Sequence, residues 1–291
     1  MPELTVHTLK RAITIRYGRD PAFQYLAGAP GVSAKLTPAS IDIEGKDAFL
    51  SATWHGLAPA FLTRTASARD LALQLDSEFA ELSLSDAAPE AILSATILCW
   101  RGRRLLLLGP GRVRTALALT LFQHDVDIEG DWFCRLSSVG FTALPRSVRW
   151  DARLLRAYPQ IYEVTEDFPF HCVDSFHGEL SAWCPQTEAR PWLCRDGPLD
   201  GIIVTDDYAG GLSLSRRIAP DFVWGHLMAA RVTGAGGVTV IAALKNLAAA
   251  TPALKVSVGD LGDATYRIMQ FLRILQARGS PPESVAQYRE V

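Results

Sequence analysis

The sequence predicts an α/β protein, with a small β-rich N-terminal domain over residues 1–88 and a larger α/β domain over 89–279. Three observations carry this. The N-terminal third holds short stretches in which apolar and polar residues alternate, such as RAITIRYG at 11–18, separated by turn signals such as GAPG. From residue 89 onward, apolar strand-like runs alternate with stretches at helical spacing, the pattern of a layered domain with a substantially parallel sheet. The chain has 291 residues, 48% hydrophobic and 21% charged, enough to bury two modest cores.

The elements follow in order. After the alternating stretches, ASARDLALQLDSEFAEL at 66–82 places apolar residues at helical spacing, and SLSDAAPE at 83–90 reads as the junction. AILSATILCW at 91–100 reads as one buried strand, RGR as a turn, and RLLLLG as a strand buried on both faces. RTALALTLFQ at 114–123 is a helix, and HDVDIEGDWFCRL at 124–136 holds two strands around a Gly-Asp pair. Residues 151–200 read as irregular with short strands. LDGIIVTDDY at 199–208 is a buried strand ending in two aspartates. A helix over APDFVWGHLMAARV, a TGAGG loop, a second helix, the strand ALKVSVG and a helix from Asp260 to Gly279 close the domain. Residues 280–291 read as a loose tail.

Composition excludes some functions. The formal net charge is −2, so no general nucleic-acid surface is expected. No apolar run reaches the roughly 18 residues of a membrane span. The N-terminus lacks the pattern of a secretory signal, and five scattered cysteines without C-x-x-C suit reduced thiols. A cytoplasmic protein is expected.

The candidate site centres on LLLLGPGRVRTALALTLF at 105–122. Strand, glycine turn and helix are the layout of a phosphate-binding P-loop, in which successive backbone N–H groups wrap phosphate at a helix N-terminus. Gly109 ends the strand and Gly111 lets the backbone approach closely. Arg114 stands at the lysine position, Thr115 at the magnesium position, and Arg112 adds a second cation. The loop is about one residue short, and a plain Gly-Pro-Gly turn with solvated arginines accounts for the same residues. Asp131, after Gly130, is the best candidate for holding magnesium or accepting a hydroxyl proton. Alternation would put Asp127, Glu129 and Asp131 on one face, which equally describes a solvent-facing acidic stripe. Arg146, fixed behind Pro145, suits a substrate phosphate or acid, or an ordinary surface turn. Asp206 and Asp207 close a strand at the end where α/β sheets bind ligands, and equally suit the ordinary start of a loop. His171, Cys172 and His177 fit no compact zinc pattern.

The order of these pieces resembles the HPr kinase/phosphorylase-like kinases over roughly residues 88–275. In that family a strand, P-loop and helix precede a strand with a Gly-Asp element. A Pro-Arg segment and a strand–helix–helix–strand–helix close come after it. The resemblance implies an HPr-kinase-like P-loop nucleotide-binding domain that uses ATP and Mg2+. Gly109, Gly111, Arg112, Arg114 and Thr115 would take phosphate, Thr115 and Asp131 metal, Asp131 the role of base, and Arg146 the substrate. It implies a serine hydroxyl on a protein, peptide or small molecule as acceptor, and self-assembly. The chain differs from the family in lacking the loop lysine and the glycine before it. Trp132 stands where a second acid is usual, and Ser94 where many relatives carry histidine. Two functions therefore stand: an ATP-dependent kinase, or a degenerate kinase that binds a partner or peptide.

Overall fold

A computed structural model describes residues 3–7, 11–17, 37–46, 49–55, 62–65, 68–87, 91–137, 140–143, 148–166, 171–175, 178–183, 196–207, 211–233 and 238–277. Over these residues the protein is mixed α/β, with four sheets and seven helices.

The first sheet runs in the order β1 (Glu3–His7), β2 (Arg11–Arg16), β3 (Thr37–Lys46), β4 (Phe49–His55), β5 (Leu62–Thr65). Alternation puts Ile13 and Ile15, and Ile41 and Ile43, on one face of it. Helix α1 (Ala68–Ala87) covers that face with Leu71, Leu75 and Phe79, which recur every four residues and so share one side of the helix.

The predicted strand at 91–100 is two strands, β6 (Ala91–Ser94) and β7 (Thr96–Trp100), which enter different sheets. Ala95 is the break. Every residue from Ala91 to Trp100 except Ser94 is buried, so no alternation marks the division in sequence. Then come β8 (Arg103–Leu108), α2 (Gly111–Phe122), β9 (Asp127–Gly130), β10 (Phe133–Ser137), β11 (Gly140–Ala143) and β12 (Val148–Asp151). Helices α3 (Ala152–Ala157) and α4 (Ile161–Thr165) precede the hairpin β13 (His171–Ser175) and β14 (Gly178–Trp183). The chain closes with β15 (Gly201–Asp207), β16 (Leu214–Arg217), α5 (Pro220–Ala229), β17 (Arg231–Thr233), α6 (Val238–Ala250), β18 (Ala253–Val258) and α7 (Leu261–Ala277).

The central sheet has the order β16-β18-β15-β8-β7-β9. The sequence reading expected a substantially parallel sheet, and this needs correction. Strands β8, β15 and β18 are parallel, but β7, β9 and β16 join antiparallel. The reason is local. Arg101 (φ 48°) and Gly102 (φ 80°) form a two-residue turn between β7 and β8, and such a turn joins only antiparallel strands. The leucine run of β8 is buried on both sides. Leu105 and Leu107 pack toward α2 and α7, while Leu106 and Leu108 pack toward α5 and α6. Each contributes about 1.5–3 kcal/mol of burial. Asp260 caps α7 through its carboxylate, which accepts from Asp263 N at 2.8 Å, as its position in sequence predicts. The TGAGG glycines, Gly279 and residues 280–291 lie outside the described residues. Among the described residues no helix is long and apolar enough to cross a membrane.

Candidate functional site

The turn between β8 and α2 is shorter than the sequence pattern suggests. Only Gly109 and Pro110 separate Leu108 from the first helical residue, Gly111. Gly109 has φ +127°, and a Cβ there would lie 2.3 Å from the backbone oxygen of Thr205. Strand β15 thus presses on the turn, and the Thr205 hydroxyl donates to Leu108 O at 2.8 Å. Pro110 O accepts from both Val113 N and Arg114 N, each at 3.1 Å. Two N–H groups of the first turn are already bonded inside the helix. Its N-cap residue, Pro110, makes no side-chain capping hydrogen bond.

Behind this turn lies Asp131, 1% exposed. Its Oδ2 accepts from Thr115 Oγ1 at 2.6 Å, and its Oδ1 from Thr96 Oγ1 at 2.7 Å. The structure therefore brings Thr115 and Asp131 together in a direct hydrogen bond, and adds Thr96, which the sequence did not single out. The acidic stripe is corrected. The ladder between β7 and β9 pairs Ile97 with Gly130 but Leu98 with Ile128, so Glu129 is the extra residue of a bulge. Asp127 is exposed while Glu129 and Asp131 are buried. Glu129 turns inward to Arg104: Arg104 Nη2 donates to Glu129 Oε2 at 2.7 Å and Nε to both carboxylate oxygens at 3.1–3.2 Å. The rest of the guanidinium donates to the backbone oxygens of Gly197 (2.7 Å), Pro198 (3.2 Å) and Phe141 (2.9 Å). Arg104 passed unnoticed in sequence because it reads only as the polar first residue of the strand RLLLLG, next to the RGR turn.

The two loop arginines part company. Arg114 is 4% exposed. Its Nη1 and Nη2 each donate to Ser94 Oγ at 3.1 Å, Nη1 also donates to Ser94 O, and its buried Nε has no hydrogen-bond partner among the described residues. Burial lowers its pKa, and nearby Asp131 opposes that shift. Arg112 lies at the surface, its side chain 59% exposed. It donates from Nε to Asp207 Oδ2 at 3.0 Å and from Nη2 to the same oxygen, while the Tyr158 hydroxyl donates to Asp207 Oδ1. Burial and that bond to Asp207 hold the phenol well above its usual range. The partner Asp206 pairs instead with Lys255 at 2.6 Å.

A cavity of about 400 Å³ opens beside the turn, its wall including Ser94, Gly111, Arg112, Arg114, Trp132 and Arg149. Thr115 reaches this wall, whereas Asp131 does not. Arg149 Nη1 donates to Ser77 Oγ at 3.2 Å, which carries α1 to the cavity. Arg146 and His177 lie outside the described residues, as do the side chains of His171 and Cys172 on β13. Among the described residues no three His, Cys, Asp or Glu side chains gather to hold a metal. Cys134 borders the site from inside, fully buried, and burial pushes its thiol up to about 12. Cys99 is also buried. Thiolate is the reactive form, so iodoacetamide at mildly alkaline pH should leave both cysteines unmodified in the native protein. Mass mapping of the labelled peptides checks this; native labelling of Cys134 would mean that the core around Arg114 opens.

The chain matches no protein-family model, and none of the curated proteins searched matches it.

Proposed function

We propose that this chain is an HPr-kinase-like P-loop protein that has lost phosphoryl transfer. Its site holds an anionic group of a peptide, protein or small-molecule partner. The observation that carries this is the state of Arg114, the residue at the lysine position. It is buried and turned onto Ser94, so it serves as a strut between α2 and β6 rather than a free cation for a terminal phosphate.

The residues do not fit a triphosphate. A phosphate cradle needs a run of free N–H groups, and a two-residue connection followed at once by helix leaves too few, with those of Val113 and Arg114 spent on Pro110 O. Magnesium fares better on chemistry, since a hydroxyl and a carboxylate are hard oxygen ligands. Yet both carboxylate oxygens of Asp131 already accept hydroxyl hydrogens. What remains open to solvent is an aromatic-flanked cavity whose wall carries three arginines, Arg112, Arg114 and Arg149, and one carboxylate, Asp151. Arg112 and Arg149 lie on its wall with Trp132 and Trp150. Arginines bind carboxylate and phosphate by paired hydrogen bonds, and indole faces pack against an apolar stem.

A second reading is ATP-dependent phosphorylation of a serine hydroxyl. It draws on the pairing of Thr115 with Asp131 at 2.6 Å, the two residues that would serve metal and acceptor. It ranks second because an acceptor hydroxyl must touch its base, and Asp131 is 1% exposed and off the cavity wall.

The test of the binding reading is a tryptophan-fluorescence titration with O-phosphoserine and with succinate. A saturable change at millimolar ligand is expected, weakened about tenfold in Arg112→Ala, as loss of about 1.4 kcal/mol implies. No saturable change, or one that Arg112→Ala leaves untouched, would contradict it.

A further inference from the structure

A second surface lies on the far side of the central sheet from β9. Among the described residues, strand β16 is the outermost strand there, paired only with β18, and all four of its residues are exposed. Large apolar side chains are exposed around it. Leu212 (70%) and Leu214 (53%) lie on the strand and its approach. Phe222 of α5, also exposed, sits under Lys255 Nζ at 5.7 Å from the ring centroid. On the other face Arg267 of α7 reaches Ser215 Oγ at 3.4 Å, with exposed Tyr266 beside it in sequence. A cavity of about 350 Å³ continues the strand at its end, lined by residues including Arg217, Ile218, Pro220, Phe271 and Ile274.

The charge of this edge is one-sided. Arg216 faces Lys255 directly across the ladder, a like-charge pair that costs stability. Lys255 has Asp206 at 2.6 Å, whereas Arg216 and Arg217 have no acidic partner among the described residues. Arginines on an edge strand are a common guard against unwanted pairing. A guard alone leaves the apolar side chains on both faces and the cavity at the strand's end without a role.

We propose that the open edge of β16 docks an extended acidic peptide segment of a partner protein. The segment adds as a further strand, sets its acids against Arg216 and Arg217, and places one apolar side chain in the cavity beside Ile274. Backbone hydrogen bonds give such strand addition its affinity, and alternate side chains give it selectivity. A second copy of this chain fits less well, because pairing β16 with itself gathers four arginines on one short ribbon.

Fluorescence anisotropy on the full chain tests this with two labelled hexapeptides, Glu-Leu-Glu-Ile-Glu-Leu and Lys-Leu-Lys-Ile-Lys-Leu. The acidic peptide should bind at least about tenfold tighter. Arg216→Glu with Arg217→Glu should invert that order, and because both residues are exposed and Arg216→Glu replaces the like-charge pairing with Lys255 by an opposite-charge one, a thermal melt should not fall. Methylating alternate backbone nitrogens of the peptide should abolish binding. No binding, equal affinity for the two peptides, or indifference to charge reversal or N-methylation would overturn the proposal. So would sedimentation showing a peptide-free dimer that the charge reversal dissociates, since the occupant would then be a second copy.

Discussion

Arg104→Ala is expected to cost about 3–5 kcal/mol of unfolding free energy, the range for removing one partner of a buried ion pair. Arg104 and Glu129 are 6% and 3% exposed, and their pairing is bidentate. Alanine at 104 strands a buried carboxylate and also leaves the backbone oxygens of Gly197, Pro198 and Phe141 without that donor. Those contacts tie the segment before β15 to the central sheet. Chemical denaturation of both proteins measures the loss, which corresponds to a melting shift on the order of 10 °C. Adding Glu129→Leu to Arg104→Met should recover the part of the loss due to the stranded carboxylate, because an apolar pair carries no desolvation cost, while the three backbone oxygens still lack that donor. A loss below about 1 kcal/mol for Arg104→Ala would mean that water reaches the pair, since exposed pairs are worth that little.

The second large effect separates two glycines that the sequence treats alike. Gly109→Ala should cost about 3 kcal/mol or more, or prevent folding. Two independent penalties add: a backbone conformation reserved for glycine, and a methyl group 2.3 Å from the backbone oxygen of Thr205. Backbone cannot swing aside as a long side chain can. Gly111→Ala should be neutral or stabilise by up to about 1 kcal/mol. Its added Cβ would have its nearest neighbour, Arg114 Nη2, at an ordinary 3.9 Å. Urea denaturation of the two variants side by side reads the contrast. Equal effects would mean that the turn is looser than the contact with β15 implies.

Much of the architecture is legible in the sequence because its signals are local. The leucine run of β8, the 3.6-residue spacing of α7 and the Asp260 cap each report on a few neighbouring residues. The direction of strands and the division of one apolar run into two sheets are not local. Residues 91–100 are buried on both faces, so periodicity carries no mark at Ala95. At the site, Thr115 and Asp131 could be singled out because chemistry-bearing residues at those spacings are few. Thr96 and Arg104 could not, since a single threonine or arginine in a strand acquires meaning only from what lies across the sheet. The bulge at Glu129 hid the same way: strict alternation would have kept it beside Asp127.

Isothermal titration with ATP and magnesium tests the central claim, that a P-loop-like turn has been rebuilt around Arg114 and no longer cradles a triphosphate. No saturable heat is expected at millimolar nucleotide, for the native chain and for Arg114→Lys alike, because the turn lacks the length as well as the lysine. Saturable, magnesium-dependent binding that Thr115→Ala and Asp131→Ala each abolish would contradict the account and restore the kinase reading.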